Sequence, residues 1–90
     1  MLIKERGFTA TPVVIDLTAE AGPLTIAVAP GAGATVKVEV SYDNARSYAD
    51  WSEGNVTTAT NATTAEGQTP TQVRCSVVAG SAQSYVVVTK

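Results

Sequence analysis

The feature that most restricts the fold is a period of two. In "TVKVEVSY", Val36, Val38, Val40 and Tyr42 fall on one side, and Lys37, Glu39 and Ser41 on the other. Successive side chains of an extended strand point to opposite faces, so this run reads as an antiparallel strand with one dry and one wet side. "VVIDLTA" places Val13, Ile15 and Leu17 against Val14, Asp16 and Thr18, and "PLTIAVAP" places Leu24, Ile26 and Val28 against Thr25, Ala27 and Ala29. In "TQVRCSVVAG", Val73, Cys75 and Val77 oppose Arg74, Ser76 and Val78. "QSYVVVT" is apolar on both sides, with Tyr85 and Val87 against Val86 and Val88. We set Tyr85 with the core-facing valines and expect this strand to be covered by a second sheet on one side and by a partner or arm on the other.

Val and Thr, stiff at χ1 and suited to a pleated surface, recur throughout, whereas helix formers are scarce. Between the runs lies turn chemistry. "EAG" at 20–22 is a turn, and "PGAGA" at 30–34 and "AGSA" at 79–82 read as hairpins. "TTATNATTAEGQTPT" at 57–71 reads as a weak edge strand followed by an exposed loop. These spacings predict an all-β protein, a small antiparallel β-sandwich or jelly-roll-like barrel. The single domain is expected over 13–90. Residues 1–12 form either a first edge strand or an arm that leaves it, with Leu2, Ile3 and Phe8 set among Lys4, Glu5 and Arg6 and closed by Pro12.

Reactive groups are few. With no histidine in the 90 residues, a Ser-His-Asp or Cys-His site cannot be built within the chain. The lone Cys75 lies on an apolar strand face and reads as a small core residue. Asp43, Asp50 and Glu53 could pair for glycosidic chemistry, but a domain this small has little room for the cleft that such a pair needs. The same residues with Asn44 lack the dense carboxylate spacing of a calcium loop. No cofactor is expected. Six basic residues, mostly scattered, against eight acidic ones leave a net charge of −2 and no footprint for nucleic acid. No segment is long and apolar enough to span a membrane as a helix. The start carries no secretory signal, and the chain is expected to be complete from Met1 and cytosolic when made.

The stretch "SYDNARSY" resembles the Asp-box turn, whose pattern is S-x-D-x-G-x-T-W. The resemblance implies that Asp43 accepts backbone N–H groups within the turn and that Tyr48 plugs it from beneath, with Ala45 standing where glycine is usual. Trp51 is expected to pack with Tyr48 over the end of the sandwich.

A wider resemblance covers roughly residues 35–88. "VKVEVSYDNARSYADWSEGNVT", then "PTQVR" and "AGSA", is similar to small bacteriophage virion proteins of the head decoration (cement) or tail type. It implies a structural, non-enzymatic protein on the capsid surface that clamps neighbouring major capsid proteins, associating with copies of itself as a trimer. Leu2, Ile3, Lys4, Arg6 and Phe8 would then be the partner-binding residues, adding a strand to another chain. The alternative is a tail or fibre module that binds cell-surface glycan through Tyr42, Tyr48 and Trp51.

Overall fold

The computed structural model describes residues 1–90 as eight strands with no helix. They are β1 (Leu2–Phe8), β2 (Val13–Asp16), β3 (Thr25–Ala29), β4 (Thr35–Ser41), β5 (Ala49–Asp50), β6 (Thr60–Thr63), β7 (Gln72–Ala79) and β8 (Ser84–Thr89). Their pairing is nested: β1 with β8, β2 with β7, β3 with β6 and β4 with β5, all antiparallel. A chain doubled back on itself at the β4–β5 turn makes those four ladders at once. Rolling the doubled ribbon adds β3–β8 and β4–β7. The result is two four-stranded sheets, ordered β1-β8-β3-β6 and β2-β7-β4-β5. This is the jelly-roll arrangement.

The shortest dimension of the molecule is 19 Å, which leaves room for two β layers about 10 Å apart and nothing over them. Between the layers lie Ile26, Val28, Val86 and Val88 from the first sheet and Val36, Val38, Val73 and Cys75 from the second, all 1% exposed or less. Burying a valine or isoleucine contributes about 1.5–3 kcal/mol. Most of that sum is offset by the entropy of ordering the chain.

Tyr85 departs from its expected side. It is 47% exposed, while Val86 and Val88 are fully buried. A run apolar on both parities does not say which side faces in; its neighbours decide. Val86 lies opposite Val28, and Tyr85 opposite Ala29. The buried Ser84 hydroxyl accepts a hydrogen bond from the Gly31 amide at 2.9 Å and fixes the phase.

The glycine-rich turns also differ from expectation. "PGAGA" and "AGSA" are not hairpins, because β3 and β4, like β7 and β8, belong to different sheets. Each is an arch over the same end of the sandwich. A Cβ on Gly80, whose φ is +79°, would stand 2.6 Å from the Gly33 carbonyl oxygen, so the two arches touch where only glycine fits. Turn residues say where a chain reverses, not whether the flanking strands pair. The only connection that joins neighbours within one sheet is β4–β5.

Of the two alternatives for residues 1–12, the structure adopts the edge strand. β1 runs beside β8 from Leu2↔Thr89 to Phe8↔Ser84, with a register shift between Leu2 and Lys4. Phe8 is 3% exposed in the chain's own core, and Ile3 packs against its margin. No boundary falls at residue 13. The ends of the chain meet: the Met1 amino group donates to the Lys90 carbonyl, and the Lys90 amide to the Met1 carbonyl, both at 2.8 Å.

Candidate functional site

The β4–β5 turn holds Asp43, Asn44 and Ala45. Asp43 Oδ1 accepts from the Ser41 hydroxyl at 2.8 Å and from the Ser47 amide at 2.9 Å, and Oδ2 from the Ser47 hydroxyl at 2.5 Å. Ser41 Oγ in turn accepts from the Ala45 amide at 2.9 Å. These bonds, led by the Ser47 hydroxyl, hold the Asp43 carboxyl at about 2, below its ordinary 3.8. The Asn44 amide reaches the Thr71 hydroxyl at 3.0 Å, and Gln72 Nε2 donates to Asn44 Oδ1 at 2.9 Å. The turn is thereby fastened to the start of β7. Asn44 and Ala45 both have positive φ, 60° and 70°. The side chains of Ser41, Asp43, Asn44, Ser47, Thr71 and Gln72 are all engaged with one another or with the backbone of the turn.

Tyr48 does not plug the turn. It lies half-buried on the outer face of the second sheet, its ring centroid 3.9 Å from the Arg74 guanidinium carbon. Arg74 also bonds Glu39 Oε1, from Nε at 3.1 Å and Nη2 at 3.0 Å. Trp51, three residues on, has the opposite parity and is buried in the core, 6% exposed. The aromatic pair expected over the sandwich end is thus divided between the two faces of one sheet.

The expected partner-binding residues are not a free arm. Phe8 is committed to the core, and Ile3 is half-buried. Leu2 is 58% exposed, and Lys4 and Arg6 are also exposed. Lys4 and Arg6 pair with Val88 and Val86, so they stand on the inward parity of an outermost strand. Inward-pointing charges and a bulge are devices that keep a sheet edge from pairing with another chain.

Cys75 is 1% exposed, and burial pushes its thiol up to about 12, so it stays protonated and unreactive. No group of three or more His, Cys, Asp or Glu side chains comes together.

Two surface features stand apart. The first is an asymmetry of the outer faces. In the second sheet every strand carries charge, and Arg74–Glu39 bridges β7 to β4. In the first sheet, β3, β6 and β8 contain no charged residue. Their outer side presents Tyr85, Val87, Ala27 and Ala29 in adjoining register, with threonines and Asn61 beyond, and Glu5 of β1 stands beside Val87 at its border.

The second feature is a cleft of about 300 Å³ between the free edges β5 and β6, roofed by the β4–β5 turn and the β6–β7 loop. Ile26, Val40, Trp51 and Pro70 form its apolar lining; Tyr42, Ser52 and Gln68 are polar groups around it, and Asp50, opposite Glu39, turns its side chain to the outer face of the sheet. In contrast to the turn, the side chains of Tyr42, Asp50, Ser52 and Gln68 make no hydrogen bond or ion pair within the chain. Tyr42 continues the inward parity of Val36, Val38 and Val40 beyond the end of β4 and is 60% exposed. That parity was the one signal in the sequence for this cleft. Its other walls come from segments far apart in the chain and leave no local pattern. Comparison with protein-family models, with curated proteins and with solved structures gives no match to this chain.

Proposed function

We propose that the chain is a non-enzymatic structural protein of a bacteriophage particle: a capsid decoration protein that clamps neighbouring major capsid proteins and associates as a trimer. The observation that carries this reading is the charge-free outer face of β8, β3 and β6. Three adjoining strands of a sheet face without charge, bordered by Glu5 of β1 and backed by a face with ion pairs, fit a surface meant to be covered. The three strands can be dehydrated against a shell at little cost, because they carry no ion, provided that Glu5 beside Val87 stays at the wet margin. The resemblance over 35–88 points to the same class. Jelly rolls serve in capsid and lectin domains alike, so the fold itself is neutral between readings.

The test is retention on purified particles. Tyr85→Lys with Val87→Lys should leave the circular dichroism and the melting curve nearly unchanged and abolish retention. The wild-type protein should be present at a copy number comparable to that of the major capsid protein. Full retention of the double variant, or a copy number typical of a tail tip, would overturn the reading. The tail or fibre alternative called for a platform of Tyr42, Tyr48 and Trp51, and that platform is not formed, since Tyr48 is stacked on Arg74 across the sheet from Trp51.

A further inference from the structure

We infer that the open edge of β6 pairs with β6 of a second copy, antiparallel about a two-fold axis at Ala62, and joins two sandwiches through one continuous sheet.

The outermost strands are unequally protected. β1 carries a register shift and sets Lys4 and Arg6 on inward parity, devices that keep an edge from pairing. β2 carries Asp16 and lies against β1 on the closed side of the sandwich. β5 is only two residues long. β6 has none of these guards. From Asn55 to Ala65 the chain has no charge, no proline and no glycine, and it is rich in threonine, which suits a strand. β6 also pairs with β3 without a register shift.

The backbone shows what the edge offers. The Thr64 amide donates to the Leu24 carbonyl at 2.8 Å, one step beyond the Thr25↔Thr63 pair. Bonding alternates along an antiparallel ladder, so Thr60, Ala62 and Thr64 turn their N–H and C=O toward β3, and Asn61 and Thr63 turn theirs outward. The Thr25 and Thr63 hydroxyls, 2.9 Å apart, agree: side chains come closest in the pairs that share no backbone bond. The N–H and C=O groups of Asn61 and Thr63 have no partner in the chain.

This pattern is its own complement. Residues 60 to 64 are centred on Ala62. A two-fold axis there sets Asn61 against the partner's Thr63, and Thr63 against the partner's Asn61, as hydrogen-bonded pairs. Their side chains stand on the outer face beside Ala27 and Thr25, where an amide and a hydroxyl can bond across the seam. On the inner side Ala62 meets its own mate, and both are small. A contact of this symmetry sets a strand against itself, so any charge near the axis would meet its like. Here the nearest, Glu66, falls opposite Thr58. Strands this short make an interface below about 1,200 Å², which is the weak class, so the pair suits copies already crowded on a surface. A threefold ring joins two different patches of each copy. The two-fold pair is therefore a contact besides the proposed trimer, one that ties neighbouring trimers together. It leaves Tyr85 and Val87 uncovered and does not rest on their role.

The test is a disulfide at the axis. Ala62→Cys places each thiol opposite its mate in a close pair, with Cα atoms about 4.5 Å apart and within disulfide reach. Asn61→Cys places the mates two residues out of step, about 8 Å apart by the spacings of a sheet and beyond that reach. Cys75 is 1% exposed and does not compete. The full chain would be oxidised mildly at about 1 mM, where weak complexes are populated. Ala62→Cys should collect as a covalent dimer at least about tenfold faster than Asn61→Cys. Asn61 and Thr63 are exposed, so charges placed there should spare the fold, and unchanged melting curves check that they do. In the Ala62→Cys background, Asn61→Asp with Thr63→Asp sets like charges across the seam and should abolish the cross-link. Asn61→Lys with Thr63→Asp sets opposite charges there and should restore it. No dimer from Ala62→Cys, equal rates for the two single variants, or cross-linking indifferent to the charge pairs would overturn the inference. Retention of the Tyr85→Lys, Val87→Lys variant on particles reads a different face, so failure of this contact and failure of the decoration reading are told apart.

Discussion

At the scale of single residues, Asp43 and Ala45 say most about how the turn is made. The Asp43 carboxylate is favoured in its charged form by donors from Ser47 and Ser41. A carboxyl depressed on folding stabilises the folded state above its unfolded pKa of about 4. That contribution disappears as the pH falls through about 2. The carboxyl of Asp16, lowered chiefly by the Thr18 amide and hydroxyl, acts in the same direction. Asp43→Asn should therefore lower the melting temperature at pH 7 and narrow the gap to wild type as the pH drops from 4 to 2. Thermal melts across that range measure it. Ala45 holds a φ of 70°, where an L side chain costs about 1–2 kcal/mol. Ala45→Gly should remove that strain, return part of it as unfolded-chain entropy, and leave a net gain of about 0.5–1 kcal/mol. In a domain of this size that is a rise of about 2–8 °C. An unchanged or lower melting temperature would mean that the turn holds no strain at this position.

Among the elements, β1 is the one whose nature the sequence left open. Its apolar residues are interrupted by Lys4, Glu5 and Arg6, and the register shift between Leu2 and Lys4 changes parity within the strand. Alternation breaks at the place where it would have identified the strand. Phe8 settles its role in the fold, buried at 3% in the shared core. Phe8→Ala should cost about 3–5 kcal/mol, a large part of the roughly 5–13 kcal/mol that holds a domain of this size together. Urea unfolding measures it. Removal of the whole strand should give an insoluble product, because β8 would lose a neighbour and present a bare edge of valines. The other strands were more legible. In β2, β3, β4 and β7 the outward positions are polar or small apart from Val14 and Val78, and the buried sides are those the alternation marks, with Ser41 and Gln72 buried besides at the knotted turn. β8 lacks that contrast, so its Tyr85 was set on the wrong side. Which strands share a sheet was beyond reach locally, since a glycine turn that makes an arch is written like one that makes a hairpin. The cleft was hidden for the same reason: β4, β6 and the loop before β7 meet there only after the ribbon has rolled.

For the molecule as a whole, the two sheets divide the work. One side carries Arg74, Glu39 and Lys37 in contact and suits water. The other is free of charge over three strands and bordered by Glu5 of β1. The rim between β5 and β6 is open and keeps unengaged polar groups. The opposite rim is guarded by Lys4 and Arg6. The bonds between Met1 and Lys90 have a consequence for connectivity. If the ends are joined by a short glycine linker and the chain is cut between Asn44 and Ala45, the order becomes β5 to β8 followed by β1 to β4. First still pairs with last, second with second-to-last, and so on inward, so the ladder plan maps onto itself. The circular permutant should fold to the same sheets, losing only the stability of the knotted turn. Its new ends would emerge at the former crease, a site for grafting a passenger sequence at the same end of the sandwich as the old termini but on the opposite rim.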